Sequence, residues 1–192
     1  MDHGDHVALI RGGAEGAGPQ WLELGAGDGA FTLALADVLG GGAITALDLD
    51  RRALTALAAR LAARFPATRV ATFTGDFTRG LPPGPFEGVL AANSLHFVRD
   101  PVPVLRAIHR VLRPGGRLVV VEYDADRGNP WVPHPISFAR WRTMAPLGGF
   151  ASPRLLHRIP SRFLGSIYAA ATERISDSSV LHSGPHGDDR EE

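Results

Sequence analysis

The chain has 192 residues, of which 44% are hydrophobic and 38 are glycine or proline, so it can bury a core, and at about 150 residues per domain its length favours one domain. Twenty basic residues, all arginine, balance twenty acids without forming a stripe of like charge, so nothing recommends nucleic acid as a partner. The absence of lysine and cysteine excludes P-loop lysines, Schiff bases, disulfides, thiolate nucleophiles and thiolate metal sites.

Residues 1–11 carry Asp2 and Asp5 before only four apolar residues, too short and acidic for a signal peptide, and no apolar run nears the roughly 20 residues of a membrane span. A soluble, cytoplasmic protein with no membrane partner is expected. Residues 1–19 are expected to form an N-terminal cap helix. Residues 21–24 then read as a strand ending in glycines, followed by an Ala/Leu helix over 30–39 that closes at Gly40-Gly41-Gly42. A second strand, 43–47, ends at Asp48, and Leu54, Leu57 and Leu61 share one face of a helix that stops before Pro66.

A third strand, 70–74, ends at Gly75-Asp76, and a fourth, 89–92, ends at Asn93. Residues 101–112 read as a helix stopped by Pro114-Gly115-Gly116, and 117–123 contains the strongest buried-strand signal, Leu118-Val119-Val120-Val121. A Pro-rich segment, 128–135, precedes a helix over 136–147. Segments 155–159 and 163–171 read as two strands pairing antiparallel, with helix a possibility for the second because of its alanines. Strands alternating with helices imply an α/β three-layer sandwich on a mainly parallel, seven-stranded sheet with an antiparallel last strand. The domain is expected to span 1–175, with 176–192 a disordered polar tail.

The turn Glu23-Leu24-Gly25-Ala26-Gly27-Asp28-Gly29 sits where glycines let a ligand approach the backbone. Gly25-x-Gly27-x-x-Ala30 also satisfies a dinucleotide fingerprint, with Asp48 about 20 residues on to hold a ribose. Charge separates the two ligand classes, because Glu23 and Asp28 oppose a pyrophosphate and attract a cation. Each residue also has a plain structural reading: Asp50 is expected to cap the following helix, and a turn residue is the alternative for Asp76.

In order and spacing, five segments resemble the class I S-adenosylmethionine-dependent methyltransferases with small-molecule acceptors. They are the turn just quoted, Ala46-Leu47-Asp48-Leu49-Asp50, Gly75-Asp76-Phe77, the fourth strand from Phe86 to Asn93, and Leu112-Arg113-Pro114-Gly115-Gly116-Arg117-Leu118. The resemblance implies a Rossmann-like methyltransferase fold that binds S-adenosylmethionine. Glycines 25, 27 and 29 would line the methionine moiety, with Glu23 and Ala26 in the same turn. Asp48 would take the ribose hydroxyls, Asp76 would accept from the adenine amino group, Leu49 and Phe77 would flank the adenine, and Asn93 would close the cofactor site.

Asn93 lacks the prolines and aromatic that follow it in amino-group methyltransferases, and Ser94-Leu95-His96-Phe97 instead resembles small-molecule types. A small organic acceptor, at oxygen or carbon more than nitrogen, is expected. A binding module without turnover and an NAD-dependent oxidoreductase are the alternatives. His96 is the candidate base, its alternative being a helix-start histidine bonded to backbone. Glu122, Tyr123, Asp124, Arg127, Trp131 and His134 follow strand five, where open α/β folds bind substrate. Of these, Tyr123, Trp131 and His134 are the candidate substrate contacts, Trp131 otherwise anchoring its loop. The segment 6–11 and the region 124–150 are the material for a small cover, and a second subunit, as in a homodimer, is a further way to complete the pocket. No metal is expected: His3 with His6, and His182 with His186, have ligand-like spacing only in chain ends expected to be mobile.

Overall fold

Alternation along the strands decides the layering. In β1 (Gln20–Leu24), Trp21 joins Phe31 and Leu35 of α2 (Ala30–Leu39) and Leu54 and Leu57 of α3 (Arg51–Arg64). Leu22 and Leu24 join the opposite core with Leu105 and Ile108 of α4 (Val102–Val111) and Trp141 of α5 (Phe138–Met144). Successive strand residues point to opposite faces, so helices cover both sides of the sheet. Each fully buried Leu or Val contributes about 1.5–3 kcal/mol. The computed structural model describes residues 1–176, and among these the three-layer sandwich expected from the sequence is present.

Strands β2 (Gly42–Asp48), β3 (Thr68–Thr74), β4 (Phe86–Ala92) and β5 (Leu112–Tyr123) run parallel with β1. β7 (Ser166–Glu173) is antiparallel beside β5, and β6 (Arg154–Pro160) lies outside it, giving the order β3-β2-β1-β4-β5-β7-β6. The second of the two last segments is therefore strand rather than helix. Ala169, Ala170 and Ala171 are buried between β5 and β6, where two strands flank them and small side chains fit. The chain builds outward from β1 to β3 and then crosses back to β4, opening a crevice at the carboxyl ends of β1 and β4.

Several boundaries differ from the sequence reading for identifiable reasons. β5 begins at Leu112, which pairs with Phe86, but the register then jumps to Gly88 opposite Arg117. Pro114, without an N–H, and Gly115, at φ 70°, loop out of the ladder between these pairs. The helix expected over 136–147 is the shorter α5, capped by Ser137, and it tightens into a 3-10 turn, Ala145–Gly148, at Pro146. The cap helix is α1 (His3–Ala14), closed by a reciprocal Asp2–Asp5 cap. Its Leu9 and Ile10 are fully buried, so most of α1 belongs to a core layer and covers no site. Apart from Ser176, the polar stretch 176–192 lies outside the described residues.

Gly88 lies in register with Trp21, and a Cβ added to it would stand 2.4 Å from the indole. Gly88→Ala should lower stability by about 2 kcal/mol, read as a lower urea midpoint at unchanged m-value. A midpoint equal to that of wild type would contradict this packing.

Candidate active site

The crevice is built by four loops at the carboxyl ends of the parallel strands. The β1–α2 turn is tied to β2, because Gly25 N–H and Ala26 N–H both donate to the Leu47 carbonyl, at 2.8 and 3.1 Å. Gly25 holds φ 70°, and a Cβ there would lie 2.7 Å from that of Ser94, so glycine serves both conformation and close approach. After β4, Asn93 adopts φ 52°, a left-handed conformation that asparagine tolerates, and donates its N–H to the Val121 carbonyl at 2.8 Å.

These loops enclose a cavity of about 590 Å³, within the range that buries cofactor-sized ligands. Of the residues expected to hold the cofactor, Gly25, Gly27, Asp48, Leu49, Asp76, Phe77 and Asn93 line it together. Ala26 is among the buried core residues and is not in the lining. Thr78, Ser94 and Phe97 also line it and were not singled out from the sequence. Hydroxyls and one aromatic in irregular loops leave no periodic signal.

Asp48 accepts the Gly27 N–H through Oδ2 and the Asp50 N–H through Oδ1, each at 2.8 Å. Each carboxylate oxygen has two acceptor sites, so each keeps one for a ligand. The oxygens of Asn93 (Oδ1) and Ser94 (Oγ) are buried without a protein partner beside it, an arrangement that is costly unless a ligand or water completes it. Asp50 caps α3 through Arg52 N–H and Ala53 N–H, as expected. In Asp76, Oδ1 is taken by the Thr78 hydroxyl and N–H, which hold its carboxyl below the ordinary carboxylate range. Its Oδ2 faces Arg79 at 3.5 Å.

Glu23 departs from expectation. Its side chain shares the Trp21 face of β1 beneath α2, 2% exposed, and does not line the cavity. Burial pushes its carboxyl up to about 8, the Thr32 hydroxyl opposing and the Asp48 and Asp28 charges adding to the rise. At neutral pH it is mostly uncharged, so the charge argument against a pyrophosphate does not rest on Glu23. The backbone supplies a better one. Around the start of α2, Gly27 N–H is spent on Asp48, Gly29 N–H on the Ala26 carbonyl, and Ala30 N–H on Asp28 Oδ1. A pyrophosphate site needs such amides open.

A second cavity, of about 580 Å³, lies at the same sheet edge between Met1 and Asp5, Tyr123 at the end of β5, and the β6–β7 hairpin with Ile159, Arg162 and Phe163. The N-terminal end of the cap helix thus reaches this cavity. Burial, with the Glu122 charge, pushes the Tyr123 hydroxyl up, keeping it neutral. The other two candidate substrate contacts lie away from both cavities. Trp131 is 73% exposed, its N–H held by Asn129, and it lines neither cavity, because a loop between prolines carries it outward. His134 uses its backbone N–H on the His96 carbonyl and lines neither.

His96 lines neither cavity but packs against one lining residue of each. It lies in a 3-10 turn, Leu95–Phe97, 3% exposed, with its ring 4.3 Å from that of Phe97 and 5.5 Å from that of Tyr123. Phe97 lines the first cavity and Tyr123 the second. Nδ1 of His96 is 2.8 Å from Glu122 Oε2, so a side-chain pair, rather than a backbone bond, fixes the ring. Among the described residues no group of three metal-ligating side chains occurs. His3 pairs with Asp37 at 2.8 Å and His6 packs edge-on against Phe31, while His182 and His186 lie outside the described residues.

The crevice lies at the switch point where open α/β folds bind their ligands, and solved structures of this fold place it in the class of Rossmann-like methyltransferases, whose cofactor is S-adenosylmethionine. Residues 22–118 match the family model described as a methyltransferase domain, half of the chain, and the chain belongs to that family. The demethylmenaquinone methyltransferase of Tropheryma whipplei is 36% identical over 114 residues, 58% of this chain and 44% of that protein, so the chain spans less than half of that relative. A S-adenosylmethionine-dependent methyltransferase from Methanosarcina mazei superposes with a TM-score of 0.63 at 16% identity, covering 81% of this chain and 92% of that one. The [4+2]-cyclase SpnF does so with a TM-score of 0.70 at 18% identity, covering 90% and 81%. These two likenesses establish the fold, which hosts more than one chemistry.

Proposed function

We propose that the chain transfers a methyl group from S-adenosylmethionine to a small organic acceptor, at oxygen or carbon in preference to nitrogen. The observation that carries this reading is Asp48 in the cavity lining, with the Gly27 amide bonded to it rather than open to a pyrophosphate. This disfavours the NAD alternative and leaves a carboxylate suited to ribose hydroxyls. Leu49 and Phe77 would flank the adenine, Asp76 would offer Oδ2 to its amino group, and Asn93 and Ser94 would complete their bonding on the methionine part. When bound, the cofactor supplies a methyl group on a positively charged sulfur, a leaving group already activated. The chain's own contribution is then to align the acceptor and keep water out.

The acceptor must meet the methyl group at the first cavity, whose lining includes the apolar Phe77, Phe97 and Val98. The relative named a demethylmenaquinone methyltransferase supports a small acceptor. Balanced charge argues against nucleic acid, and a cysteine-free chain fits the cytoplasm. Calorimetry with S-adenosylmethionine, S-adenosylhomocysteine and NAD tests the reading: both adenosyl compounds are expected to bind and NAD to fail. NAD binding with neither adenosyl compound bound would reverse it. Product release across hydroxylated and active-methylene acceptors separates turnover from binding alone.

A further inference from the structure

Beside the first cavity, and sharing Phe77 and Thr78 with it, lies a third of about 390 Å³ between the β3–β4 loop and α4. Its lining includes two cations, Arg79 and Arg110, and no acid. α4 itself carries Arg106, His109 and Arg110 without an acid, and none of the ion pairs among the described residues includes Arg110. Arg106, one turn before Arg110, adds a like charge, its Nε donating to the Leu147 carbonyl at 3.3 Å. Arg79 faces a single carboxylate, Asp76, with Nε 3.5 Å from Oδ2 and a side chain 87% exposed. An exposed pair of this kind adds little to stability, so Arg79 is available to a better partner. Two guanidinium groups on one cavity repel each other until an anion lies between them.

We propose that the third cavity binds a small phosphomonoester, its phosphate between Arg79 and Arg110 and its apolar body against Leu81, Pro103 and Val104, and that this occupancy strengthens cofactor binding in the first cavity. Guanidinium forks match phosphate oxygens in geometry. A phosphomonoester carries about two negative charges at neutral pH and so balances both arginines, where a carboxylate would leave one unmatched. The cavity holds more than an oxyanion alone fills, and its remaining wall is apolar, which selects an ester over the free ion. The link to the cofactor runs through Asp76, whose Oδ1 is taken by Thr78 and whose Oδ2 faces Arg79. Oδ2 is the oxygen offered above to the adenine amino group, so Arg79 and the adenine compete for it. A phosphate that draws Arg79 into the third cavity leaves Oδ2 to the adenine. This link rests on the methyl-transfer reading, whereas the site itself does not.

The test is calorimetry on the full chain in phosphate-free buffer with phenyl phosphate, which joins a phosphate to an apolar ring. Wild type is expected to bind it with a Kd of about 1 mM or below, and inorganic phosphate at least about threefold more weakly. Arg110→Gln should weaken phenyl phosphate at least about tenfold, with S-adenosylhomocysteine affinity in its absence unchanged. Arg79→Gln, in an exposed loop, should show the same loss of phenyl phosphate and serves if Arg110→Gln disturbs α4. Arg142→Gln, exposed and outside the lining, should bind as wild type does. Saturating phenyl phosphate should raise S-adenosylhomocysteine affinity about threefold or more in wild type and leave it unchanged in Arg110→Gln. No binding, equal binding by wild type and both lining variants, or inorganic phosphate bound as tightly as the ester would overturn the site. Binding without a rise in S-adenosylhomocysteine affinity would overturn the link. The phenyl phosphate titration needs no cofactor, so failure of S-adenosylhomocysteine to bind refutes the methyl-transfer reading and is not confused with failure of the site.

Discussion

Asp48→Asn should weaken S-adenosylmethionine binding at least about 100-fold while leaving the fold in place. The substitution conserves shape, but the side chain then has one acceptor oxygen where Asp48 now has two, accepting from Gly27 N–H and Asp50 N–H. Hydrogen bonds to a charged group are worth about 1.5–3 kcal/mol each. Losing one bond to a ribose hydroxyl and turning the other from charged to neutral removes roughly 3 kcal/mol, and each 1.4 kcal/mol is tenfold in affinity. Calorimetry reads the affinity and thermal melting reads the fold. A loss smaller than about tenfold, in a variant that melts as wild type does, would remove Asp48 from the ribose site.

The second large effect is on stability and depends on pH. Glu23, with an ordinary value of 4.5, is raised by burial to about 8, so between those values the folded chain binds a proton that the unfolded chain has released. The folded state loses stability from this group as pH rises through that window, and the full cost stands above about pH 8. Glu23→Gln keeps the volume and abolishes the ionisation. Its stability relative to wild type should therefore rise by roughly 3–5 kcal/mol from pH 4.5 to pH 9. At about 2–4 °C per kcal/mol for a chain of this size, that is on the order of 10 °C in Tm. A pH-independent difference between the two proteins would mean that Glu23 is ionised in the core or reaches water.

What was legible in the sequence was whatever a period or a turn dictates. The glycine turn, Asp48 at the end of β2, the Asp50 cap and the parallel order of strands all follow from apolar runs ending at glycine or acid, and the structure has them in place. The orientation of Glu23 was not legible. All of 21–24 is buried, and parity puts Glu23 on the Trp21 side without saying that α2 lies over it. The positions of Trp131 and His134 were not legible for a different reason, since their loop follows a strand end yet lines neither cavity. The nearness of Glu122 to His96 comes from the parallel pairing of β4 with β5, which no local pattern encodes.

A crystal structure with S-adenosylhomocysteine bound would test the central claim most directly. The account predicts adenosine over the β2 end, with both ribose hydroxyls on Asp48, the ring between Leu49 and Phe77, and the sulfur near Asn93 and Ser94. A ligand seated elsewhere, or an NAD pyrophosphate drawing the Gly27 amide away from Asp48, would contradict it.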